Sequence, residues 1–341
     1  MEKTRLGRTG LMVTRTSFGA LPIQRVSFDE AKKLLVKAYD NGINFFDTAR
    51  GYTDSEEKIG YALAEVRKNI IIATKTFSQD KKTLFEHLET SLKNMKTDYV
   101  DILQLHNPAD LSDPNDPDST YAGLLEAKKK GMVRFIGITN HRIKTAMEAV
   151  ASGLYDTMQF PLSSLSSDVD LELIEQCKKY DVGLIAMKAM SGGLITNAAS
   201  TFAFLRQYEN VVPIWGIQRE SELDEFLSME EQPPILDETL WKVINKDREE
   251  LSGNFCRGCG YCMPCPAGIE IPMQARISLL LRRAPYQQFL QDEFRKKMDL
   301  IPECIDCGNC RDHCPYKIDT PNLLKRELEN YNEFYRAHMQ E

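Results

Sequence analysis

The sequence is nearly free of cysteine until its last quarter. Of nine cysteines in 341 residues, Cys177 alone precedes position 250, and the other eight lie between positions 256 and 314. A secreted disulfide-bonded protein distributes its cysteines over the fold that they cross-link, so this distribution argues against one. It favours thiolate ligation in a reducing compartment, and Cys177 is interpreted as a small buried apolar residue.

The chain also lacks an excess of basic residues. It has 43 Lys and Arg against 50 Asp and Glu, a net charge of −7, which argues against a nucleic-acid partner. No apolar run approaches the roughly 20 residues of a membrane-spanning helix. The N-terminal stretch MEKTRLGRTG has no apolar signal-peptide core. We therefore expect a cytoplasmic protein that binds neither membranes nor nucleic acid.

Short apolar runs alternate with longer amphipathic stretches between residues 12 and 228. The apolar runs predict eight strands: MVTRTSFGA, INFFD, IIIAT, YVDILQLH, VRFIGIT, TMQF, VGLIAMK and VVPIWGI. Near-continuous apolar strands alternating with helices indicate a covered parallel sheet. Eight such units fit an α/β fold of the (β/α)8 TIM barrel type. A doubly wound Rossmann sheet is the alternative, but no G-x-G-x-x-G follows the first strand.

The first amphipathic stretch carries signals for both of its ends. Ser27 and Glu30 have the spacing of a capping box, and Gly42 is a usual helix-ending residue. The pattern changes after residue 228, where EEQPPIL predicts a linker and a helix then leads into the cysteines. We expect two domains, a barrel over residues 1–250 and a smaller helical, cysteine-rich domain over residues 251–341.

Ionisable residues end three consecutive predicted strands. Asp47 follows INFF, Lys75 follows IIIAT, and His106 follows YVDILQL. Tyr52 comes five positions after Asp47, in the adjoining loop. Barrel enzymes place their chemistry at the C-terminal ends of the strands. One such residue is usually structural, but three at one rim indicate a catalytic site.

These four side-chain types together support proton transfer to a carbonyl oxygen. A tyrosine hydroxyl has a pKa of about 10, and a neighbouring ammonium is expected to lower that pKa. A carboxylate beside the ammonium keeps it charged, and an imidazole can orient the carbonyl oxygen. We therefore predict an oxidoreductase that interconverts a small carbonyl compound and its alcohol with a nicotinamide cofactor.

The same residues carry a family resemblance. DTARGY (47–52), Lys75, LQLHNP (104–109), FIGITN (135–140) and Gln159 resemble the aldo-keto reductase superfamily, over about residues 3–230. The resemblance implies that Asp47, Tyr52, Lys75 and His106 form a catalytic tetrad. In that tetrad Tyr52 would be the proton donor.

The resemblance also implies a site for NADP(H) or NAD(H). Asn140 and Gln159, together with Thr139, would bind the nicotinamide amide. The pyrophosphate and adenosine would lie near two loops whose candidate residues are Lys188, Gly192, Gly193, Gly216, Arg219 and Glu222. Gly192 and Gly193 would let the backbone approach the phosphates closely.

The sequence departs from the family pattern at the adenosine end. IWGIQRESEL carries Arg219 as its only cation, and Glu222 stands about where NADP-preferring members have an arginine. A glutamate repels a 2′-phosphate and can accept hydrogen bonds from a free ribose hydroxyl. We therefore expect NADH to be used as well as, or in preference to, NADPH.

Two cysteine runs distinguish the C-terminal segment, CRGCGYCMPCP at 256–266 and CIDCGNCRDHCP at 304–315. The second has the C-x2-C-x2-C-x3-C-P spacing of bacterial ferredoxins, in which the fourth cysteine ligates the other cluster. The first is one residue shorter before its last cysteine. This spacing favours two [4Fe–4S] clusters, with structural zinc and disulfides as the alternatives.

The segment resembles the dicluster 4Fe-4S ferredoxin-like domain that is appended to one branch of aldo-keto reductases. Under the ferredoxin exchange rule, cluster one takes Cys256, Cys259, Cys262 and Cys314. Cluster two takes Cys265, Cys304, Cys307 and Cys310. His313 is adjacent to a ligand but is not needed for ligation.

Three functions are compatible with these two parts. In the first, the clusters of a nicotinamide-dependent oxidoreductase exchange electrons with a protein partner. Coupling hydride transfer to a one-electron cluster then needs a converter such as a flavin, and no flavin signature is evident. In the second, the clusters only support the C-terminal segment of a carbonyl reductase. In the third, the chain is an electron-transfer or redox-sensing protein on an aldo-keto reductase scaffold.

Overall fold

A computed structural model describes residues 1–251, 255–283 and 286–338. The chain forms two compact units. The first contains Met1–Ala189 and Ala198–Trp241, and the second contains Met190–Asn197 and Lys242–Glu341. The domain boundary expected after residue 250 stays a prediction. No helix in the described part of the chain is long and apolar enough to cross a membrane.

The first unit contains a closed barrel of parallel strands, preceded by an antiparallel hairpin. The hairpin strands are β1 (Lys3–Arg5) and β2 (Met12–Thr14). The barrel strands are β3 (Ser17–Gly19), β4 (Phe45–Asp47), β5 (Ile71–Thr76), β6 (Val100–His106), β7 (Val133–Thr139), β8 (Thr157–Pro161), β9 (Gly183–Met187) and β10 (Val211–Gly216). Each strand pairs with the next in sequence, and β10 pairs with β3. The predicted TIM barrel is confirmed.

Helices follow the barrel strands. They are α1 (Phe28–Asp40), α2 (Ser55–Leu63), α3 (Lys81–Met95), α4 (Thr120–Lys129), α5 (Ile143–Ser152), α6 (Asp168–Lys179), α7 (Ala198–Arg206), α8 (Glu220–Glu231) and α9 (Glu238–Glu250). Short 3₁₀ turns lie at Gly7–Thr9, Pro22–Arg25 and Ala64–Asn69. The capping box of α1 is confirmed: Ser27 and Glu30 exchange hydrogen bonds at 2.9 and 3.3 Å.

The first predicted strand is divided into two. Residues 12–14 pair with the N-terminal strand, and residues 17–19 begin the barrel. Between them Ser17 Oγ donates to the Thr14 carbonyl at 2.7 Å, and the Thr14 N–H donates to Asn44 Oδ1 at 2.8 Å. These bonds to side chains replace the ladder bonds of a continuous strand. A single strand over MVTRTSFGA was therefore wrong.

The hairpin contributes to the barrel core. Leu6, Leu11 and Val13 belong to the same buried cluster as inward-facing residues of the barrel strands, such as Phe45 and Ile102. Alternate residues of a strand face the same side. The residues that follow Phe45 and Ile102 at two-residue intervals therefore also point into the barrel.

The second unit is helical and packs around the last helix. Its helices are α10 (Ile271–Gln274), α11 (Ile277–Arg283), α12 (Asp292–Met298), α13 (Asn309–Asp312) and α14 (Thr320–His338), with 3₁₀ turns at Tyr286–Leu290 and Ile301–Glu303. Tyr331 is fully buried, and its hydroxyl donates to the Phe289 carbonyl at 2.8 Å. Glu327 is also buried and accepts the Ser278 N–H at 2.8 Å.

Candidate active site and cysteine sites

Three neighbouring strands bring the predicted ionisable residues to one end of the barrel. Asp47 ends β4 and pairs with Ala73, two residues before Lys75 on β5. Lys75 is in register with Gln104 on β6, two residues before His106. Because side chains two apart on a strand share a face, these residues point into the barrel interior.

Asp47 and Lys75 form a buried ion pair. Lys75 Nζ lies 2.5 Å from Asp47 Oδ1 and donates to the Thr48 carbonyl at 2.6 Å. The two side chains are only 2% and 1% exposed. Burial raises the pKa of Asp47 and lowers the pKa of Lys75, and the pair's mutual attraction opposes both shifts. The ion pair fixes Lys75 Nζ in place.

Two amides complete the surroundings of Asp47. Gln104 Nε2 donates to Gln159 Oε1 at 2.8 Å and lies 3.4 Å from Asp47 Oδ2. Gln159 Nε2 lies 3.4 Å from Asp47 Oδ1. Sequence reasoning assigned Gln159 to the cofactor and missed Gln104. A polar residue two positions before His106, inside an apolar strand, was the available signal.

Tyr52 lies beside this pair. Lys75 Nζ is 5.0 Å from the centre of the Tyr52 ring. The Tyr52 and His106 rings meet edge to face, with their centres 5.9 Å apart. Thr53, the next residue, has a φ of +38°, which is unusual for a β-branched side chain. The structure therefore brings all four predicted tetrad residues together.

The pKa of Tyr52 is raised. Burial is the main cause, and the negative charge of Asp47 adds to it. The sequence predicted the reverse, because an ammonium was expected next to the hydroxyl. That prediction is wrong for the site as the structure describes it. Tyr52 is held in its protonated form, the form that a proton donor needs.

Two imidazoles lie in this region and both are held neutral. Burial, with the charge of Lys75, lowers the pKa of His106 to about 3. His141 is 5% exposed, and its pKa falls well below the usual value because of burial, then Lys188 and His106. Sequence reasoning missed His141, which follows Asn140 directly.

A second buried carboxylate, also missed, contacts Thr74, the residue before Lys75. Glu56 is 1% exposed and lies in the first turn of α2. It accepts a hydrogen bond from Thr74 Oγ1 at 2.7 Å and pairs with Arg50 at 3.2 Å. Its charge acts on Lys75 in the direction that raises the pKa, against the effect of burial.

The nicotinamide candidates occupy the ends of β7 and β8. Thr139 Oγ1 accepts the Asn107 N–H at 3.0 Å. Asn140 is fully buried, donates to the Pro108 carbonyl at 2.9 Å and accepts the Arg142 N–H at 2.8 Å. Thr139 is in register with Gln159. Thr139 and Gln159 therefore lie at the same rim as the tetrad.

Lys188 directly follows β9, and Gly216 is the last residue of β10. Lys188 comes directly after β9 with a φ of +57°, and its charge is felt at His141. Gly216 ends β10, where an added Cβ would lie 3.2 Å from Pro22 Cγ. Both positions are at the C-terminal end of their strands, as the sequence predicted.

Arg219 and Glu222 are paired with each other. Arg219 Nε donates to Glu222 Oε1 at 3.0 Å. Glu222 Oε2 also accepts the Gln218 and Arg219 N–H groups, at 2.9 and 3.0 Å. The glutamate therefore caps the N-terminus of α8 and offsets the charge of Arg219.

Gly192 and Gly193 belong to the second unit. Both have positive φ, +67° and +89°. The Gly192 carbonyl accepts a hydrogen bond from Arg276 Nη1 at 3.0 Å. An added Cβ on Gly192 would lie 2.9 Å from the same nitrogen, whereas one on Gly193 would meet nothing within 4 Å. Gly193 thus leaves open space beside the backbone.

The second cysteine run lines a cavity. Four of its lining residues are the predicted ligands of cluster two: Cys265, Cys304, Cys307 and Cys310. Cys262 also lines it. Cys265, from the first run, thus stands with three cysteines of the second run, which is the exchanged arrangement. These donors are of the type that a [4Fe–4S] cluster takes.

Cysteines of the first run interact electrostatically with one another and with Cys310 and Cys314 of the second run. The charge of Cys256 acts on Cys262, and both Cys259 and Cys314 act on Cys256. The Gly258 N–H donates to Cys256 Sγ at 3.3 Å. Burial raises the pKa of Cys262 to about 12. Within the described residues, no three His, Cys, Asp or Glu side chains are placed to hold one metal ion.

The sequence profile of the aldo/keto reductase family matches residues 15–211. The chain belongs to this family. It is an oxidoreductase of the aldo-keto reductase type. Its residues 255–319 match a second profile, the 4Fe-4S dicluster domain. Both resemblances that the sequence indicated are confirmed.

Relatives and solved structures agree with this family. L-galactose dehydrogenase of Arabidopsis thaliana is 31% identical over 215 residues, covering 58% of this chain and 67% of that protein. The holo form of an aldo-keto reductase from Bacillus halodurans superposes with a TM-score of 0.63 at 21% identity, covering 72% of this chain and 96% of that chain. An aldo-keto reductase from Klebsiella pneumoniae in complex with NADPH has the same TM-score at 17% identity, covering 72% and 94%. The two structures support the fold.

Proposed function

We propose that the barrel interconverts a small aldehyde or ketone and its alcohol, with Tyr52 as the proton donor to the carbonyl oxygen. The observation that carries this proposal is the meeting of Tyr52, Lys75 and His106 at one strand-end rim. A bound reduced nicotinamide would supply the hydride to the carbonyl carbon.

Tyr52 holds the proton that the carbonyl oxygen receives. Its raised pKa keeps the hydroxyl protonated until the substrate oxygen gains charge. Lys75 Nζ, 5.0 Å from the ring centre, stabilises the phenolate that is left after donation. Asp47 keeps Lys75 at this position through the 2.5 Å ion pair.

His106 orients the substrate. Its depressed pKa leaves a neutral imidazole, which can donate one hydrogen bond to a carbonyl oxygen without carrying a charge. The imidazole stands edge to face with Tyr52, so both groups can reach one oxygen atom. This arrangement supports an orienting role for His106 and proton donation by Tyr52.

The nicotinamide ring of the cofactor would be held by residues of the barrel rim. Thr139, Asn140 and Gln159 would contact the nicotinamide amide, and the polar ends of these side chains suit that group. Lys188, Gly192, Gly193 and Gly216 would serve the phosphates, and Arg219 with Glu222 the adenosine ribose. NADH use is proposed because Glu222 offsets the charge of Arg219, the one cation of the stretch IWGIQRESEL.

The cysteines would hold two [4Fe–4S] clusters with exchanged ligands. Cluster one would take three cysteines of the first run and Cys314, and cluster two would take three of the second run and Cys265. The cavity that Cys265 shares with the second run supports this assignment. We also propose a reducing, cytoplasmic setting, because eight such thiolates would be oxidised elsewhere.

Anaerobic rapid mixing of the cluster-loaded protein with NADH or NADPH tests the proposal. A panel of sugar aldehydes, short-chain aldehydes and ketones is added, and cofactor oxidation is followed together with cluster absorbance and EPR. Turnover with inert clusters supports a carbonyl reductase with supporting clusters. Cluster reduction at the turnover rate supports electron exchange with a protein partner and demands a converter such as a flavin.

The second candidate function is electron transfer or redox sensing without carbonyl chemistry. The dicluster domain favours it, because such domains carry electrons in ferredoxins. Bound cofactor with no turnover of any carbonyl or alcohol would support this candidate. The same result would overturn the proton-transfer role of Tyr52.

A further inference from the structure

Arg276 stands between two glycines of the second unit that come from distant parts of the sequence. Gly192 lies in the segment Met190–Asn197, and Gly258 lies in the first cysteine run. Added Cβ atoms at Gly192 and Gly258 would each lie 2.9 Å from the Arg276 guanidinium. Both glycines have positive φ, +67° and +62°. The backbone on both sides is therefore shaped to accept this side chain.

The contact on the Gly192 side is a directed hydrogen bond. Arg276 Nη1 donates to the Gly192 carbonyl at 3.0 Å. In the same segment the Met190 carbonyl accepts the N–H groups of Gly193 and Ile195, at 2.9 and 3.3 Å. The glycine turn is thus closed by its own backbone and tied at one carbonyl to Arg276.

The contact on the other side reaches a cluster ligand. Gly258 packs against the guanidinium and donates its N–H to Cys256 Sγ at 3.3 Å. One side chain thus contacts the Gly192 turn and the loop that presents Cys256.

We propose that Arg276 couples the first cluster site to nicotinamide-cofactor affinity, by clamping the Gly192–Gly193 turn to the Cys256–Gly258 loop. The proposal rests on the proposed function, because it takes that turn as the phosphate-binding turn of the cofactor. Ligation of Cys256 would hold the loop in place, the loop would hold the Arg276 guanidinium, and the guanidinium would hold the turn. Arg276 is a positioning residue in this scheme.

The experiment compares Arg276→Ala and Arg276→Lys with wild type, all loaded with clusters. A charge-assisted hydrogen bond contributes enough that its loss weakens NADH or NADPH binding by about tenfold. Arg276→Lys keeps the positive charge but not the planar guanidinium. We therefore expect its cofactor dissociation constant to lie between those of wild type and Arg276→Ala. Arg282→Ala is the matched control, since Arg282 is exposed on α11, which begins directly after Arg276, and donates to the Ser278 carbonyl within that helix.

Cluster-depleted wild type provides the second arm. Depletion should weaken cofactor binding in wild type by about the same tenfold factor. It should have little further effect in Arg276→Ala, because the coupling is already lost. If cluster depletion weakened cofactor binding equally in wild type and in Arg276→Ala, the proposed coupling would be overturned.

Hydrogen exchange of residues 190–197 tests, independently of cofactor binding, whether Arg276 holds the Gly192–Gly193 turn in place. The Gly193 and Ile195 amides should exchange faster in cluster-loaded Arg276→Ala and at the wild-type rate in Arg282→Ala. Unchanged exchange together with an unchanged dissociation constant would overturn the proposal. If wild type binds neither cofactor, the proposed function fails, and the exchange result still reports on the clamp.

Discussion

Gln104 and Gln159 share a 2.8 Å hydrogen bond, and both of their amide nitrogens lie 3.4 Å from the Asp47 carboxylate. The two residues stand on β6 and β8, with Gly137 of β7 between them. A Cβ on Gly137 would lie 3.1 Å from Gln104 Cγ, so the glycine makes room for this amide. The carboxylate that holds Lys75 is itself held by a buried polar network.

Replacing Gln104 should therefore loosen Asp47. In Gln104→Leu, Gln159 Oε1 loses its donor while it remains buried, which costs about 1–3 kcal/mol of the free energy of unfolding. We expect kcat to fall as well, because Lys75 is positioned through Asp47. Urea unfolding and steady-state kinetics measure the two effects.

Gln79→Leu is the matched control for this substitution. Gln79 is exposed, and its amide makes only a 3.4 Å contact with the Phe77 carbonyl. Its stability should stay within about 0.5 kcal/mol of wild type. Equal stability of the two variants would show that the Gln104 amide is not part of the network.

Tyr52→Phe should abolish carbonyl reduction while it keeps cofactor binding. The ring and its contacts with Lys75 and His106 remain, but the transferable proton is gone. Loss of a general acid lowers kcat/KM by about 10²–10⁴-fold. Cofactor titration should give a dissociation constant within about twofold of wild type, since the hydroxyl has no role in the nucleotide contacts proposed above.

Tyr61→Phe serves as the control for the loss of a phenol. Tyr61 is 42% exposed on α2, and its hydroxyl donates to Asp29 at 3.2 Å on the surface. This variant should turn over like wild type. Surviving turnover in Tyr52→Phe would transfer the proton-donor role to another group.

The position of Tyr52 was predictable, but its pKa was not. Strand periodicity and the strand-end rule are local, so the sequence could place Asp47, Lys75 and His106 at one rim. The pKa of Tyr52 depends on how deeply the hydroxyl is buried and on which of the opposite charges of Lys75 and Asp47 has the larger effect on it. That balance is set by packing in three dimensions, and it raised the pKa instead of lowering it.

The same distinction applies to the fold. The eight strand segments could be read from apolar runs, because each run is a property of neighbouring residues. The division of MVTRTSFGA could not, because it depends on Asn44, thirty positions away, which accepts the Thr14 N–H. The grouping of Met190–Asn197 with the cysteine unit is likewise a long-range contact pattern.

Acid should destabilise the barrel through His141. Its folded-state pKa lies well below the unfolded value of about 6.5, so below that pH the unfolded state binds a proton that the folded state does not. Stability is therefore lost as the pH falls. From pH 7 to pH 5 the loss from one such residue is about 2 kcal/mol.

Urea unfolding of wild type and His141→Asn at several pH values measures this loss. The variant lacks the buried imidazole, so its free energy of unfolding should fall less steeply with acid than that of wild type. Comparing slopes removes the contributions of all other titrating groups, because both proteins contain them. Parallel slopes would mean that the pKa of His141 is the same in the folded and the unfolded state.

The pairing of Arg219 with Glu222 sets an expectation for cofactor choice. In Glu222→Gln the capping oxygen for the Gln218 and Arg219 N–H groups remains, but the negative charge is removed. The freed Arg219 can then attract a 2′-phosphate. The ratio of kcat/KM for NADPH to that for NADH should rise by about tenfold, mainly through KM for NADPH.

Glu225→Gln removes the same unit of charge from an exposed position of the same helix, α8. If the effect is local, this control leaves the cofactor ratio unchanged, because charges separated by solvent are screened over about 10 Å at moderate salt. An equal rise in both variants would assign the effect to net charge alone. A wild-type preference for NADPH of about a hundredfold would contradict the proposed use of NADH. That ratio corresponds to about 2.7 kcal/mol of discrimination. Arg219 is not expected to supply it, because its charge is already paired with Glu222.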